Sequence, residues 1–353
     1  MNPAELPRVI HLLGGRKALD YCDDNLALTN VKLGKSLLVP RTSYTGVFGQ
    51  LEQLGFTCIG CEFLDSPECI RYGLPGTFLT LLPGRKWLEH SITTPWNNSA
   101  HQFRNSEDFK SASSIAKLTT YLKLISLRLK ELSNAYNDAL QGHLALSPNN
   151  PIDDSLHSSV WSLGIDASLH SFFADAASLN DAIAEVTWNV YLNKRQEKRV
   201  TKMKSLISAT KDTNDNIIKK IRDEYKNGWI FSLSMFRNEI LHKAPISNYF
   251  GNTSFQSRGL TLQGYDDQIP YVHFPFSTID MKFVESSQKI IDVNNEEDQK
   301  AEIKRSFEFA NNSTDALKFC YWITVQIASL CKLLLGECTL DVSLPILSEN
   351  DLA

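Results

Sequence analysis

The spacing of apolar residues changes near residue 108. Before it, short apolar runs such as "KSLLVP", "FTCIGCEF" and "GTFLTLLPG" are bounded by Gly, Pro and polar residues, a pattern typical of short strands mixed with some helix. After it, apolar residues recur at steps of three and four, as on one helix face: Ile115, Leu118, Leu122, Ile125, Leu129 and Leu132. The chain is predicted to be mainly α, with a C-terminal helical bundle preceded by a smaller mixed α/β region.

The apolar pattern predicts three further helices. They cover residues 168–192, with an extension through a basic stretch to about residue 204, then 212–242 and 302–335. The cap of the second of these is Asp212 or Thr213, and Asn227 followed by Gly228 can break it. Pro245 cannot continue that helix, because proline lacks the backbone N–H.

Strand-like alternation returns after residue 245. The segment "GLTLQGYDDQIPYVHFPF" predicts a hairpin closed by Gly-Tyr-Asp-Asp, although its aromatic rings could also stack on bases. We therefore predict a mixed α+β domain over 1–105, a helical domain over 106–340 with a β-containing insertion at 246–298, and a C-terminal tail over 341–353.

Composition narrows the classes of function. The chain has 353 residues, 42% of them hydrophobic, and its 36 Lys and Arg against 40 Asp and Glu give a formal charge of −4. This balance excludes a polybasic nucleic-acid coat, so any nucleic-acid site must be a local patch. The N-terminus lacks the pattern of a signal peptide, and the uncharged stretch 319–331 is too short to span about 30 Å of hydrocarbon. A cytoplasmic protein without a membrane partner is expected.

The stretch "RNEILH" places Arg237, Asn238 and His242 near the end of a predicted helix. Asn238 and His242 are four residues apart and share a face, and Arg237 is long enough to reach the same ligand. An Arg guanidinium can hold a phosphodiester through two hydrogen bonds, and a His can exchange a proton near neutral pH. This combination could cleave RNA without a metal.

These residues resemble the Arg-x4–6-His motif of HEPN (higher eukaryotes and prokaryotes nucleotide-binding) domains, in which a polar residue follows the Arg. The resemblance covers about residues 108–338 and implies an all-helical bundle. It also implies a metal-independent endoribonuclease in which a 2′-hydroxyl attacks the adjacent phosphate at a composite dimer site. His242 would transfer protons, Arg237 would hold the phosphate and Asn238 would orient them. The 246–298 insertion is longer than a compact bundle needs.

The resemblance further implies RNA as substrate, a homodimer, no cofactor, and a role as a bacterial toxin or anti-phage effector, with a regulatory protein as a further partner. The alternative is a non-catalytic helical nucleotide-binding or protein-interaction module, in which Arg237, Asn238 and His242 only tie a helix end to its neighbours. A second Arg–His spacing, Arg85 and His90 in "RKWLEH", follows Pro83-Gly84 rather than a helical repeat. We treat this second spacing as a decoy, that is, a chance match to the motif.

The basic stretch "NKRQEKRVTKMK" could supply a local RNA-binding patch. On a helix, Arg195, Arg199 and Lys202 would share one face and could contact phosphates, although a solvated helix face has the same pattern. Asp175 and Glu185 precede this stretch and could support Arg237 or His242 as carboxylate partners. Ordinary solvated carboxylates are the alternative.

The chain has seven cysteines, an odd number that favours reduced thiols or metal ligands over a disulfide framework. Cys58 and Cys61 form a CxxC, Cys69 follows, and Cys22 could complete four ligands for a structural zinc. A second CxxC is absent from the sequence, so buried free thiols are the alternative and no catalytic metal is expected.

Overall fold

Short alternating segments of the first ninety residues form strands of one seven-stranded sheet. The computed structural model describes residues 5–197, 199–242, 248–249, 252–265, 268–276 and 312–338 and the single helical residues 297, 300, 304 and 308; for 238–242, 248–249 and 252–253 it describes the backbone alone. The strands are β1 (Arg8–Leu12), β2 (Lys17–Asp20), β3 (Asn25–Lys32), β4 (Lys35–Pro40), β5 (Cys58–Phe63), β6 (Thr77–Leu82) and β7 (Lys86–Trp87). Their order is β4-β3-β2-β1-β5-β6-β7, and the pairings from β4 to β6 are antiparallel.

A smaller antiparallel sheet brings a strand from between two helices against a later hairpin. Its order is β12-β11-β8, formed by β8 (Asp153–His157), β11 (Phe255–Thr261) and β12 (Gln268–His273). The hairpin predicted around Gly264 is confirmed by the β11–β12 pairing. Two short pairs join β9 (Asn248–Tyr249) with β10 (Asn252–Thr253), and β13 (Pro275–Phe276) with β14 (Thr314–Asp315).

The helices follow the apolar spacing, with bounds set by local caps. They are α1 (Val47–Gln53), α2 (Pro67–Tyr72), α3 (Thr94–Asn105), α4 (Phe109–Leu146), α5 (Val160–Val186), α6 (Met203–Ala209), α7 (Asn216–Asn227), α8 (Trp229–His242) and α9 (Ala316–Glu337). π-helical segments Glu89–Thr93 and Thr187–Tyr191 precede α3 and follow α5. The six apolar residues that predicted α4 are all buried.

The prediction of a mainly α chain with a small N-terminal region is wrong. The N-terminal strands join into a large seven-stranded antiparallel sheet, and β8, β11 and β12 add a second sheet, so the fold is mixed α and β. Strand-like runs can be recognised from short-range spacing, but their assembly into a wide sheet depends on pairing between distant segments. The size of the seven-stranded sheet therefore could not be predicted from the sequence pattern.

Two predicted helix starts also differ, and one predicted break is confirmed. Asp215, and not Asp212 or Thr213, caps α7, because its carboxylate accepts the amides of Ile217 and Ile218, both at 2.9 Å. The predicted break at Asn227-Gly228 is confirmed, since α7 ends there and α8 begins at Trp229. The last helix starts at Ala316, where the Asp315 carboxylate accepts the Lys318 amide at 2.9 Å.

The chain divides into two compact units that are not consecutive segments. Unit 1 holds residues 1–81, 128–172 and 238–322, and unit 2 holds residues 82–127, 173–237 and 323–353. The predicted domain boundaries at 105 and 340 stay predictions, and the predicted tail 341–353 lies outside the described residues.

The core of unit 1 lies where the large sheet meets the second half of α4. The tight turn between β1 and β2 has left-handed backbone at Gly14 and Gly15, with φ of +78° and +83°. A Cβ on Gly15 would lie 2.6 Å from the Tyr136 carbonyl, so only glycine permits this close approach. Asn137 fixes the turn by donating to the Gly15 carbonyl at 2.8 Å.

Unit 2 is built from apolar helix faces. The Phe173 and Phe236 rings pack with centroids 5.5 Å apart, and Trp96 donates its indole N–H to the Cys331 carbonyl at 3.2 Å. The buried residues around them come from the first half of α4, the end of α5, and α9: Ile115, Leu118, Leu122, Ile125, Leu179, Ile183, Ile327 and Leu330.

Helix α9 is long and apolar enough, by length and composition, to cross a membrane. Half of its most apolar 18-residue window is buried inside the protein. The fold is therefore compatible with a soluble protein.

Candidate nucleic-acid interface

The sequence motif lies at the end of α8. This helix starts immediately after Gly228, where the Glu224 carboxylate accepts the Trp229 amide at 3.0 Å and so holds the first turn. Arg237 is exposed on α8. Asn238 and His242 belong to the same helix by backbone, but their side chains lie outside the described residues. Their proposed roles therefore rest on the sequence motif.

The basic stretch is a loop, and the predicted extension of the helix to residue 204 is wrong. After the π-helical turns, Asn193 adopts a left-handed backbone with φ of +51°, a conformation that asparagine tolerates at helix ends. Arg195 then donates to the Asn193 side chain, and Lys110 of α4 donates to the Arg195 carbonyl at 3.0 Å. The helix therefore ends because Asn193 turns the chain, and α4 holds the loop that follows.

This loop, α4 and the end of α5 line a cavity of about 350 Å³ in unit 2. Arg195 and Arg199, two of the three residues predicted to bind RNA, line it, whereas the third, Lys202, is exposed directly before α6 and does not. The remaining lining residues are Phe109, Lys110, Ser113, Glu185, Asn189 and Glu197. The two arginines thus meet at one cavity, although they do not share a helix face.

The charges around the cavity are partly paired. Arg195 lies 3.0 Å from the Asp108 carboxylate, and Arg199 lies 3.6 Å from Glu185. The Arg199 side chain is 80% exposed, so its long ion pair contributes little and leaves the guanidinium able to contact another anion. The lining carries three cations and two carboxylates. The lining therefore has a net charge of +1 on a chain that is acidic overall, and Asp108 outside the lining is paired with Arg195.

Glu185 has partners other than those predicted. Its carboxylate accepts from Lys117 at 3.1 Å and faces Arg199, so it organises the cavity wall. Asp175, the other predicted supporting carboxylate, is half-buried on α5. The suggestion that these two carboxylates hold Arg237 or His242 stays a prediction for Asp175. For Glu185, the described contacts are with Lys117 and with Arg199 of the cavity instead.

The aromatic ring of Phe109 and the polar side chains of Ser113 and Asn189 complete the cavity. Phe109, the first residue of α4, is 64% exposed, although an apolar residue of its size is usually buried. Asn189 is buried and donates to Ser114 at 2.7 Å, which fixes the back of the wall. Sequence reasoning missed Phe109, Lys110 and Asn189. An exposed Phe beside Lys at a predicted helix start was the available signal.

The cysteines considered for zinc do not form a metal site. Cys22, Cys58, Cys61 and Cys69 are all among the residues that the structure describes. Among those residues, no three His, Cys, Asp or Glu side chains are placed to hold a metal ion. Cys58 and Cys61 are buried in β5, and burial raises the pKa of the Cys61 thiol. The alternative of buried free thiols fits these two residues.

No protein-family model, curated protein or solved structure matches the chain.

Proposed function

We propose that this protein binds single-stranded RNA at the cationic cavity of unit 2 and cleaves it as a metal-independent endoribonuclease of HEPN type. The observation that carries the binding step is the convergence of Lys110, Arg195 and Arg199 beside the exposed Phe109 ring. Cationic side chains track a phosphate backbone, and an aromatic ring stacks on a base without selecting its sequence.

The cleavage step is assigned to the α8 motif. His242 takes the 2′-hydroxyl proton, the hydroxyl oxygen attacks the adjacent phosphorus, and the 5′-oxygen leaves with a proton from a second histidine. Arg237 stabilises the negative charge on the phosphate, and Asn238 orients the reacting groups. A homodimer supplies the second His242, because a two-fold interface brings identical patches together. A cytoplasmic toxin or defence effector is the role that fits this activity.

The cleavage test uses labelled single-stranded RNA in excess chelator. The wild-type protein is expected to give fragments that end in a cyclic phosphate. His242→Ala should lose at least a hundredfold in rate and keep RNA binding, since general acid–base groups contribute about 10²–10⁴. His90→Ala, at the decoy spacing, should cut like the wild type. Unchanged cleavage by His242→Ala would refute the catalytic assignment.

The binding test separates the cavity from the motif. Replacing both Lys110 and Arg199 by Ala should weaken RNA binding and reduce the slope of log affinity against log salt by up to about 1.4, about 0.7 for each phosphate contact on a single strand. Lys204→Ala, an exposed lysine on α6, is the matched control. If the double variant binds RNA as well as the control variant does, the cavity is excluded as the RNA-binding site. If the wild-type protein binds RNA without cleaving it, the non-catalytic module is favoured.

A further inference from the structure

A second cavity, in unit 1, is lined by a histidine with a serine near one ring nitrogen and an aspartate near the other. Its volume is about 430 Å³. Ser313 Oγ lies 3.1 Å from His273 Nε2, and His273 Nδ1 lies 3.9 Å from Asp315 Oδ2. We call these three residues the His273 cluster. They come from the end of β12 and from the short segment before α9, so the fold brings together residues about 40 positions apart.

The three groups stand in the order that acyl transfer requires. A nucleophilic hydroxyl needs a base within hydrogen-bond reach, and the base needs a carboxylate near its other nitrogen. Ser313 meets the first condition through His273 Nε2. At 3.9 Å, Asp315 acts on Nδ1 through charge and would form a hydrogen bond after a shift of about 1 Å.

Hydrogen bonds fix the position of the Asp315 carboxylate beside the histidine. Its Oδ2 accepts from the Tyr136 hydroxyl at 3.0 Å and from the Phe274 amide at 3.1 Å, while Oδ1 accepts the Lys318 amide. The Tyr136 hydroxyl is itself held by the Leu317 amide at 3.0 Å. These hydrogen bonds fix the orientation of the carboxylate, so its charge stands at a defined place beside His273 Nδ1.

The cavity also offers positive charge. Arg258 and Lys318 line it together with the three residues of the cluster. The Arg258 guanidinium is positioned by two hydrogen bonds to Gln256 Oε1, at 3.0 and 2.7 Å. Cations at such a site stabilise a developing oxyanion and also select a substrate that carries its own negative charge.

We propose that the His273 cluster is a hydrolytic site for small esters that carry an anionic group, with Ser313 as nucleophile. Ser313 Oγ attacks the ester carbonyl while its proton passes to His273 Nε2. The bond to the leaving alcohol then breaks, and His273 returns the proton to that oxygen. Water, deprotonated by His273, next attacks the acyl-serine and releases the acid and Ser313. Asp315 is a positioning residue that acts on the imidazole through its charge.

Unit 1 contains a matched internal control. His11 Nδ1 lies 3.0 Å from Ser133 Oγ, and His11 Nε2 lies 3.7 Å from Glu62 Oε2. We call these three residues the His11 cluster. His11 and Ser133 are both 0% exposed, so a substrate cannot reach this serine. The two clusters share their residue types and distances, but Ser133 is fully buried whereas Ser313 is partly exposed and lines the cavity.

The decisive experiment labels the full-length protein with a fluorophosphonate, in which a nucleophilic oxygen displaces fluoride from phosphorus. We expect one adduct, mapped by peptide mass spectrometry to Ser313 in the wild-type protein. Ser313→Ala should abolish labelling, and Ser133→Ala should retain it. An unlabelled wild-type protein, or an adduct at any other residue, would overturn the proposal. The mapping needs no variant, so a folding defect cannot obscure it.

Turnover provides the second measurement. The wild-type protein should hydrolyse the mono-4-nitrophenyl ester of glutaric acid with a kcat/KM at least tenfold above that for neutral 4-nitrophenyl acetate, and Lys318→Met should reduce this preference. Asp315→Asn should change the pH profile of labelling, a readout that a purely structural role would leave unmoved. Absence of turnover for both esters would overturn the assigned reaction. Preference for the neutral ester would overturn the proposed selection for a negatively charged substrate.

Discussion

The His11 cluster and the His273 cluster have similar distances and opposite electrostatics, with the serine at Nδ1 of His11 but at Nε2 of His273. The Ser–His distances are 3.0 and 3.1 Å, and the His–carboxylate distances are 3.7 and 3.9 Å. Glu62 of the first cluster is paired with the Lys130 ammonium at 2.9 Å. Asp315 of the second is held by backbone amides and a tyrosine hydroxyl. The two carboxylates therefore differ in their partners: Glu62 has a full positive charge beside it, whereas Asp315 has only neutral hydrogen-bond donors.

The pKa values follow from this difference. Burial pushes the pKa of Glu62 up, but interactions with His11, the Gly76 amide and Lys130 outweigh it and bring the pKa to about 2. Burial raises the pKa of Asp315 to about 6, and its hydrogen bonds offset only part of that shift. Burial also lowers the pKa of His11 to about 4, although Glu62 opposes the shift. Matching side chains thus do not imply matching chemistry, because partners and access decide the protonation state.

The largest expected effect comes from breaking the ion pair of the His11 cluster. Lys130→Met leaves the Glu62 carboxylate buried without its ammonium partner, which should lower the free energy of unfolding by about 3–5 kcal/mol. Urea denaturation at pH 7 measures it. Lys123→Met, an exposed lysine on the same helix, should change stability by less than about 0.5 kcal/mol. A Lys130→Met loss as small as that of the control would contradict the importance of the pair.

A second variant tests the sign of the His11 contribution. The folded-state pKa of His11 lies below its value of 6.5 in the unfolded chain, so the unfolded state binds more protons and stability falls as pH drops from about 6.5 to 4. The shift corresponds to about 3.5 kcal/mol. His11→Gln should remove this loss in denaturation curves taken across that range. The exposed His90→Gln is the control, and a loss that persists in His11→Gln would refute the assignment.

Asp315 should act with the opposite sign. Its folded-state pKa of about 6 lies above the value of 3.8 in the unfolded chain, so its contribution is most favourable below pH 3.8 and is lost as pH rises through about 6. The difference amounts to about 3 kcal/mol. Asp315→Asn keeps an oxygen to cap α9 and should make acidification from pH 6 to 4 more destabilising than in the wild type. An unchanged slope would show that the carboxyl titrates alike in both states.

Much of the local structure could be predicted from the amino-acid sequence. The run "KSLLVP" is β4 and the six apolar residues of α4 are buried, because side-chain period alone selects a helix face or a strand. It also indicated the break at Gly228, since glycine interrupts a helix without any tertiary partner. The Arg237, Asn238 and His242 motif was visible for the same reason, as a spacing along one helix.

The meeting of residues that are distant in the chain could not be predicted in this way and follows from the three-dimensional fold. The seven-stranded sheet, the cavity that Arg195 and Arg199 share with Phe109, and the contact of His273 with Ser313 all join segments far apart in the chain. Short-range spacing contains no information on such pairings, because strand order and loop path are set by the joint packing of all elements. Access was likewise decided in three dimensions: His11 and His273 both lie in strands and are both buried, but Ser133 is closed off from solvent whereas Ser313 lines a cavity.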